Sequence, residues 1–200
     1  MEQLSKVSRI LWIAFAAIFA VRLLTGLIVA CSSPFGSVYV LGVALNAAVL
    51  FFLYGGLLTW FIFFLIQTGG PKSREWLPAL LGVASSGMLT LAAFIGFFMS
   101  SSTIAYSVWI VLNVMVLMAA FILLGIFFKE KIQKWVSFIA AGAIPVWALL
   151  TAILAYIFGQ MGAYSLMSAP GLVTDILLFA PFFLFVYVFD ANKPKALPKF

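Results

Sequence analysis

Two charges stand where lipid is expected. Arg22 interrupts the apolar run AVRLLTGLIVA (residues 20–30), and Asp175 lies inside another apolar stretch near the C-terminus. A charge within a membrane span costs at least about 2.5 kcal/mol on insertion scales, so such residues mark solute pathways, relays or buried pairs. Neutral hydrogen-bonding groups accompany them: the amides of Asn46 and Asn113, the phenols of Tyr39 and Tyr106, and the hydroxyls of Thr90 and Thr151. This set can hold a small polar or zwitterionic solute, or can lock helices together. It is poorly equipped for bond-making. The chain has no histidine, and its single cysteine, Cys31, excludes an internal disulfide, a CxxC pair and a thiolate metal cage. Ser100, Ser101 and Ser102 have no evident base, and Asp175 lacks the second carboxylate that acid–base pairs use. No enzyme, metal or cofactor is expected. No ring of like charges or filter sequence points to an ion channel.

The elements that must position these groups follow from composition. The chain of 200 residues is 66% hydrophobic and 8% charged, with a mean hydropathy of +1.25. Soluble domains carry roughly 25% charge. A bilayer core needs about 20 apolar residues per helix, and six stretches qualify: 10–31, 38–66, 76–99, 104–128, 135–159 and 172–189. The phenylalanine-rich FFLYGGLLTWFIFFLI of the second lacks the polar alternation of a β-barrel strand. The sequence therefore predicts an all-α, polytopic six-helix transmembrane bundle forming a single integral membrane domain, 1–200. The first stretch is longer than a signal-peptide core and is read as a permanent span.

Charge sets the orientation. Lys6 and Arg9 precede the first span; Lys72 and Arg74 lie between the second and third; Lys129, Lys131 and Lys134 lie between the fourth and fifth; Lys193, Lys195 and Lys199 follow the sixth. The other three connections carry no charge. By the positive-inside rule both termini are cytoplasmic, as in a bacterial or archaeal cytoplasmic membrane. The pI of 9.6 is accounted for by these flanking cations, which attract anionic inner-leaflet lipid. No nucleic-acid role is expected.

Counted from the predicted outer ends at 1.5 Å per residue, Arg22, Asn46, Thr90, Asn113 and Thr151 fall at depths of about 12–14 Å, on five different helices. Asp175 lies at about 5 Å depth, within reach of a snorkelling arginine. The expectation is an Arg22–Asp175 pair inside the bundle, at the top of an outward-facing polar pocket. The competing expectation is structural: membrane threonines bond their own i−4 carbonyl, and an Arg–Asp pair can simply lock two helices.

Tyr39, Leu45, Asn46, Val49 and Leu50 match Tyr106, Leu112, Asn113, Val116 and Leu117 without gaps. In each set Tyr and Asn are seven residues apart, on one helical face, which suggests a duplicated hairpin. Small residues from Ala140 to Ala155 predict a central fifth helix, and Pro145 and Pro181 favour kinks. The Phe-rich second span is read as lipid-facing bulk, with Gly55 and Gly56 at a close contact. Trp60, Trp76, Trp109 and Trp135 are read as interfacial belts. The last outer loop, Gln160 to Gly171, adjoins Asp175 and is read as either a cover for the pocket or a plain connector.

Two functions remain open. One is a transporter or solute-binding membrane subunit, with Arg22, Asp175, Asn46, Asn113, Tyr39 and Tyr106 around a small polar solute. The other is a non-catalytic subunit or assembly partner of a larger membrane complex, with a membrane protein partner or a second copy on its small-residue faces. Ala16 and Ala20 of the first span stand at small-xxx-small spacing, a docking face for another helix. In size and topology the chain resembles the substrate-binding subunits of energy-coupling-factor vitamin transporters; that resemblance implies the first reading.

Overall fold

The computed structural model describes the backbone of residues 2–31, 37–98, 104–160 and 168–191, and side chains chiefly within 3–27, 48–95, 108–150 and 177–190. Among the described residues there are six helices and no strand: α1 (Glu2–Cys31), α2 (Ser37–Gln67), α3 (Trp76–Phe98), α4 (Ile104–Phe127), α5 (Lys131–Gln160) and α6 (Ser168–Ala191). Each packs on its chain neighbours, and α6 returns to α1 to close a ring. The expected spans match these helices closely. The main difference is at α1, which begins eight residues earlier than the apolar run because Leu4, Ser5, Ser8 and Phe15 lie on one buried face. A helix continues as long as packing rewards it, whatever the hydropathy of its first turns.

Four described segments are long and apolar enough to cross a membrane: Gln3–Leu24, Ala48–Gln67, Trp76–Ile95 and Val108–Phe127. The exterior is apolar too, with Ile10, Phe52, Leu77, Met115, Leu149 and Leu184 exposed, one from each helix. A water-soluble domain does not surround itself with such residues. The bundle is that of an integral membrane protein.

The second span was expected to face lipid; instead it carries much of the core. Leu53, Leu57, Trp60 and Phe61 are wholly buried, with Tyr54 and Phe64 nearly so, because positions at i, i+3, i+4 and i+7 form one helical stripe. Among its described residues the opposite stripe, Phe52, Thr59, Ile62 and Ile66, is exposed. The interior is closed across the ring by the even-numbered helices. Trp60 stacks on Phe64 at 5.0 Å and meets Phe185 and Phe189 at 4.7 and 4.9 Å. Phe121 of α4 packs on Phe61, Phe182 and Phe185, and Phe128 on Phe64 and Phe189. Edge-to-face and offset pairs of this kind add about 0.5–1.5 kcal/mol each beyond burial.

The fifth helix is therefore one member of the ring and not its axis: it turns Ala140, Ala141 and Ile144 inward between α4 and α6, and exposes Val146, Leu149 and Ile153. Both α5 and α6 run through their internal prolines. The matched segments of α2 and α4 are not oriented alike, since Val49 is buried while its counterpart Val116 is exposed. That difference removes the support for a duplicated hairpin. Between α2 and α3 the chain turns through Gly69 and Gly70 at φ +71° and +107°, a left-handed conformation that glycine adopts without a Cβ clash.

Candidate functional site

The bundle has one strongly cationic end. Contacts of Ser8 with Trp60, Phe64 with Phe128, Phe128 with Phe189 and Arg9 with Asp190 gather the start of α1 and the ends of α2, α4 and α6 there. Lys6, Arg9, Lys72, Arg74, Lys129, Lys131 and Lys134 are exposed around it, and Trp135, 59% exposed, stands beside them as a belt residue should. Trp60 does not. It is completely buried, and its indole N–H donates to the buried Ser8 hydroxyl at 3.2 Å.

Towards the other end lie the residues expected to form a polar pocket. Arg22 is half-buried on α1 and engaged by a neighbour. The antiparallel register of α1 on α6 is fixed by Trp12 against Tyr187 (5.7 Å) and Phe19 against Phe179 (6.1 Å). Continued by one turn, this register sets Arg22 level with the turn of α6 that contains position 175. The side chains of Asp175, Asn46, Tyr39, Tyr106 and Thr151 lie outside the described residues, as do residues 161–167 of the last loop.

Two members of the expected layer are satisfied within their own helices. Asn113 donates through Nδ2 to the Trp109 carbonyl at 2.8 Å, and Thr90 donates through Oγ1 to the Ser86 carbonyl at 2.7 Å. For Thr90 this is the structural arrangement ordinary in membrane helices. For Asn113 the bond engages one amide hydrogen. Ser85, Ser86 and Ser137 bond backward in the same way, to Leu81, Gly82 and Gln133.

The sequence reading missed a polar site at the cationic end. Asp190, one residue beyond the predicted last span, is 11% exposed and accepts the Trp12 indole N–H at 2.9 Å. Its other oxygen faces the Arg9 Nε at 3.5 Å, beyond the range of a well-formed hydrogen bond. The signal was present: Arg9 and Asp190 are opposite charges, each within one turn of the same predicted membrane boundary. A helix-to-helix lock between α1 and α6 thus exists at the cationic end, made by Asp190.

A small void lies between α2, α4, α5 and α6, lined by Tyr54, Val114, Leu117, Ile144, Trp147 and Phe182. It sits directly above the aromatic seal, since Phe182 stacks on Phe121. No family model, curated protein or solved structure matches this chain. The likeness to energy-coupling-factor subunits accordingly rests on size and topology alone.

Proposed function

We propose that the chain is a small membrane transporter or solute-binding membrane subunit that receives a small polar solute from the outer side of the membrane. The observation that carries this reading is the segregation along the bundle axis. Interlocked aromatic rings of α2, α4 and α6 fill the cationic end, which the positive-inside rule assigns to the cytoplasm, whereas Arg22, Asn113 and the void beside Trp147 lie beyond them toward the opposite end. A bundle sealed at one end and polar toward the other suits a site reached from outside. In this reading Arg22 and Asp175 supply the charges, and Asn46, Asn113, Tyr39 and Tyr106 supply neutral hydrogen bonds.

The test is thermal stabilisation of the purified chain, in nanodiscs, by a panel of small zwitterions and polar neutral solutes. One solute class should raise the melting temperature, and Arg22→Ala should abolish the response while Thr90→Val retains it. If Arg22→Ala fails to fold, the exchange Arg22→Asp with Asp175→Arg should partly restore folding. A chain that responds to no solute and co-purifies with a stoichiometric membrane protein overturns the proposal.

That outcome would favour the second reading, a non-catalytic subunit or assembly partner. One observation speaks for it: only 11% of the α1 span is buried, against 44% for α2, which leaves α1 the least covered span of the four. Its small residues Ala16, Ala17 and Ala20 are all exposed, and small residues allow close helix approach in lipid.

A further inference from the structure

Trp147 presents a problem that its surroundings can solve. Its indole N–H is buried and has no hydrogen-bond partner among the described residues. Indole nitrogen only donates, and a buried donor left unmade is disfavoured by about 1–3 kcal/mol. Trp147 lines the void above the aromatic seal, which has room for the centre of one water-sized molecule. The buried Tyr54 lines the same void from α2, bringing a phenol that both donates and accepts. The remaining lining, Val114, Leu117, Ile144 and Phe182, is apolar.

We infer that this void is a binding site for one neutral oxygen, which accepts the Trp147 N–H and is bridged to the Tyr54 phenol. Buried waters typically make two to four hydrogen bonds to groups otherwise unsatisfied, and this geometry supplies that number from α2 and α5. The oxygen comes either from water or from the hydroxyl of a small solute. The chemistry is the same in both cases, and the inference holds whether the chain transports or only assembles.

Indole-15N-labelled chain in nanodiscs reports on the site directly, with Trp147→Phe assigning the Trp147 resonance, or triple-resonance assignment replacing it if that variant does not fold. The indole proton should lie downfield, in the hydrogen-bonded range, and show a rotating-frame cross-peak to water. Tyr54→Phe should remove most of that cross-peak, and Ile144→Val, which keeps both polar groups, should retain it. Methanol titration separates the sources: a water cross-peak with no methanol response identifies a sequestered water, and a saturable shift of the Trp147 signal identifies a site open to hydroxyl-bearing molecules. Either result supports the inference. A Trp147 proton at the unbonded position, with no water cross-peak, no methanol response and no change on Tyr54→Phe, overturns it.

Discussion

The seam between α1 and α6 allows the sharpest energetic test, because Asp190 meets two partners of different kinds. Trp12 donates to one carboxylate oxygen at 2.9 Å in a partly buried setting. Arg9 approaches the other at 3.5 Å with 56% of its side chain exposed. A hydrogen bond to a charged acceptor contributes about 1.5–3 kcal/mol in soluble proteins, while membrane hydrogen bonds measured by double-mutant cycles average about 0.6 and reach about 1.7 kcal/mol. For a pair at the margin of the apolar zone the Trp12–Asp190 coupling should be about 1–2 kcal/mol. The Arg9–Asp190 pair is exposed and long, so screening and side-chain entropy should hold it below about 1 kcal/mol.

The cycles are Trp12→Phe with Asp190→Ala, and Arg9→Gln with Asp190→Ala, read by reversible unfolding in mixed micelles. Phenylalanine suits the first cycle because Trp12 also packs edge-on against Phe183 and Tyr187, at 6.0 and 5.7 Å, and those ring contacts should partly survive. The expected order is a larger coupling for Trp12 than for Arg9, with only the Arg9 coupling reduced by high salt. Equal couplings, or an Arg9 coupling that exceeds that of Trp12 and resists salt, would refute the reasoning that burial and geometry, not formal charge, decide the seam.

Alanine placed at three glycines should produce three different results in the same unfolding assay. At Gly82 the new methyl would overlap the ring of Phe61, which is fully buried against Trp60 and Phe121 and has nowhere to go, so a loss of about 1–3 kcal/mol is expected. At Gly87 the nearest atom is a Leu58 methyl at 3.6 Å, ordinary contact, and at Gly142 nothing lies within 4 Å; the first should be near neutral and the second should gain up to about 1 kcal/mol from helix propensity. Trp60→Ala should cost about 3–5 kcal/mol, far more than Trp135→Ala at its exposed position, and equal losses would mean that Trp60 is not the core residue its burial indicates.

Much of the architecture was legible in the sequence because lipid imposes one dominant rule. Every backbone polar group must be satisfied within its own segment, so apolar runs about 20 residues long announce helices, and the observed helix ends fall close to those runs. Which face of each helix turns inward was much less legible. In a soluble protein polarity marks the outer face, but here both faces are apolar, and the residues that fill the core, Leu53, Leu57 and Phe61, belong to the same alphabet as Phe52 and Ile62, which meet lipid. This is why composition alone points the Phe-rich second span toward lipid and the Ala-rich α5 toward the axis, against the burial each shows. The polar residues mislead in the opposite direction: by residue count Thr90 and Asn113 are expected at the depth of Arg22, yet each is bonded into its own helix, because a helix in lipid always offers a free carbonyl lone pair four residues back. Shared depth alone therefore carries little information about a common site. Register carries more, since Trp12 on Tyr187 and Phe19 on Phe179 bring Arg22 to the level of position 175 through contacts made one to three turns away. A site between α1 and α6 stands or falls on that register, and the Asp190 cycles test the inner end of the seam that sets it.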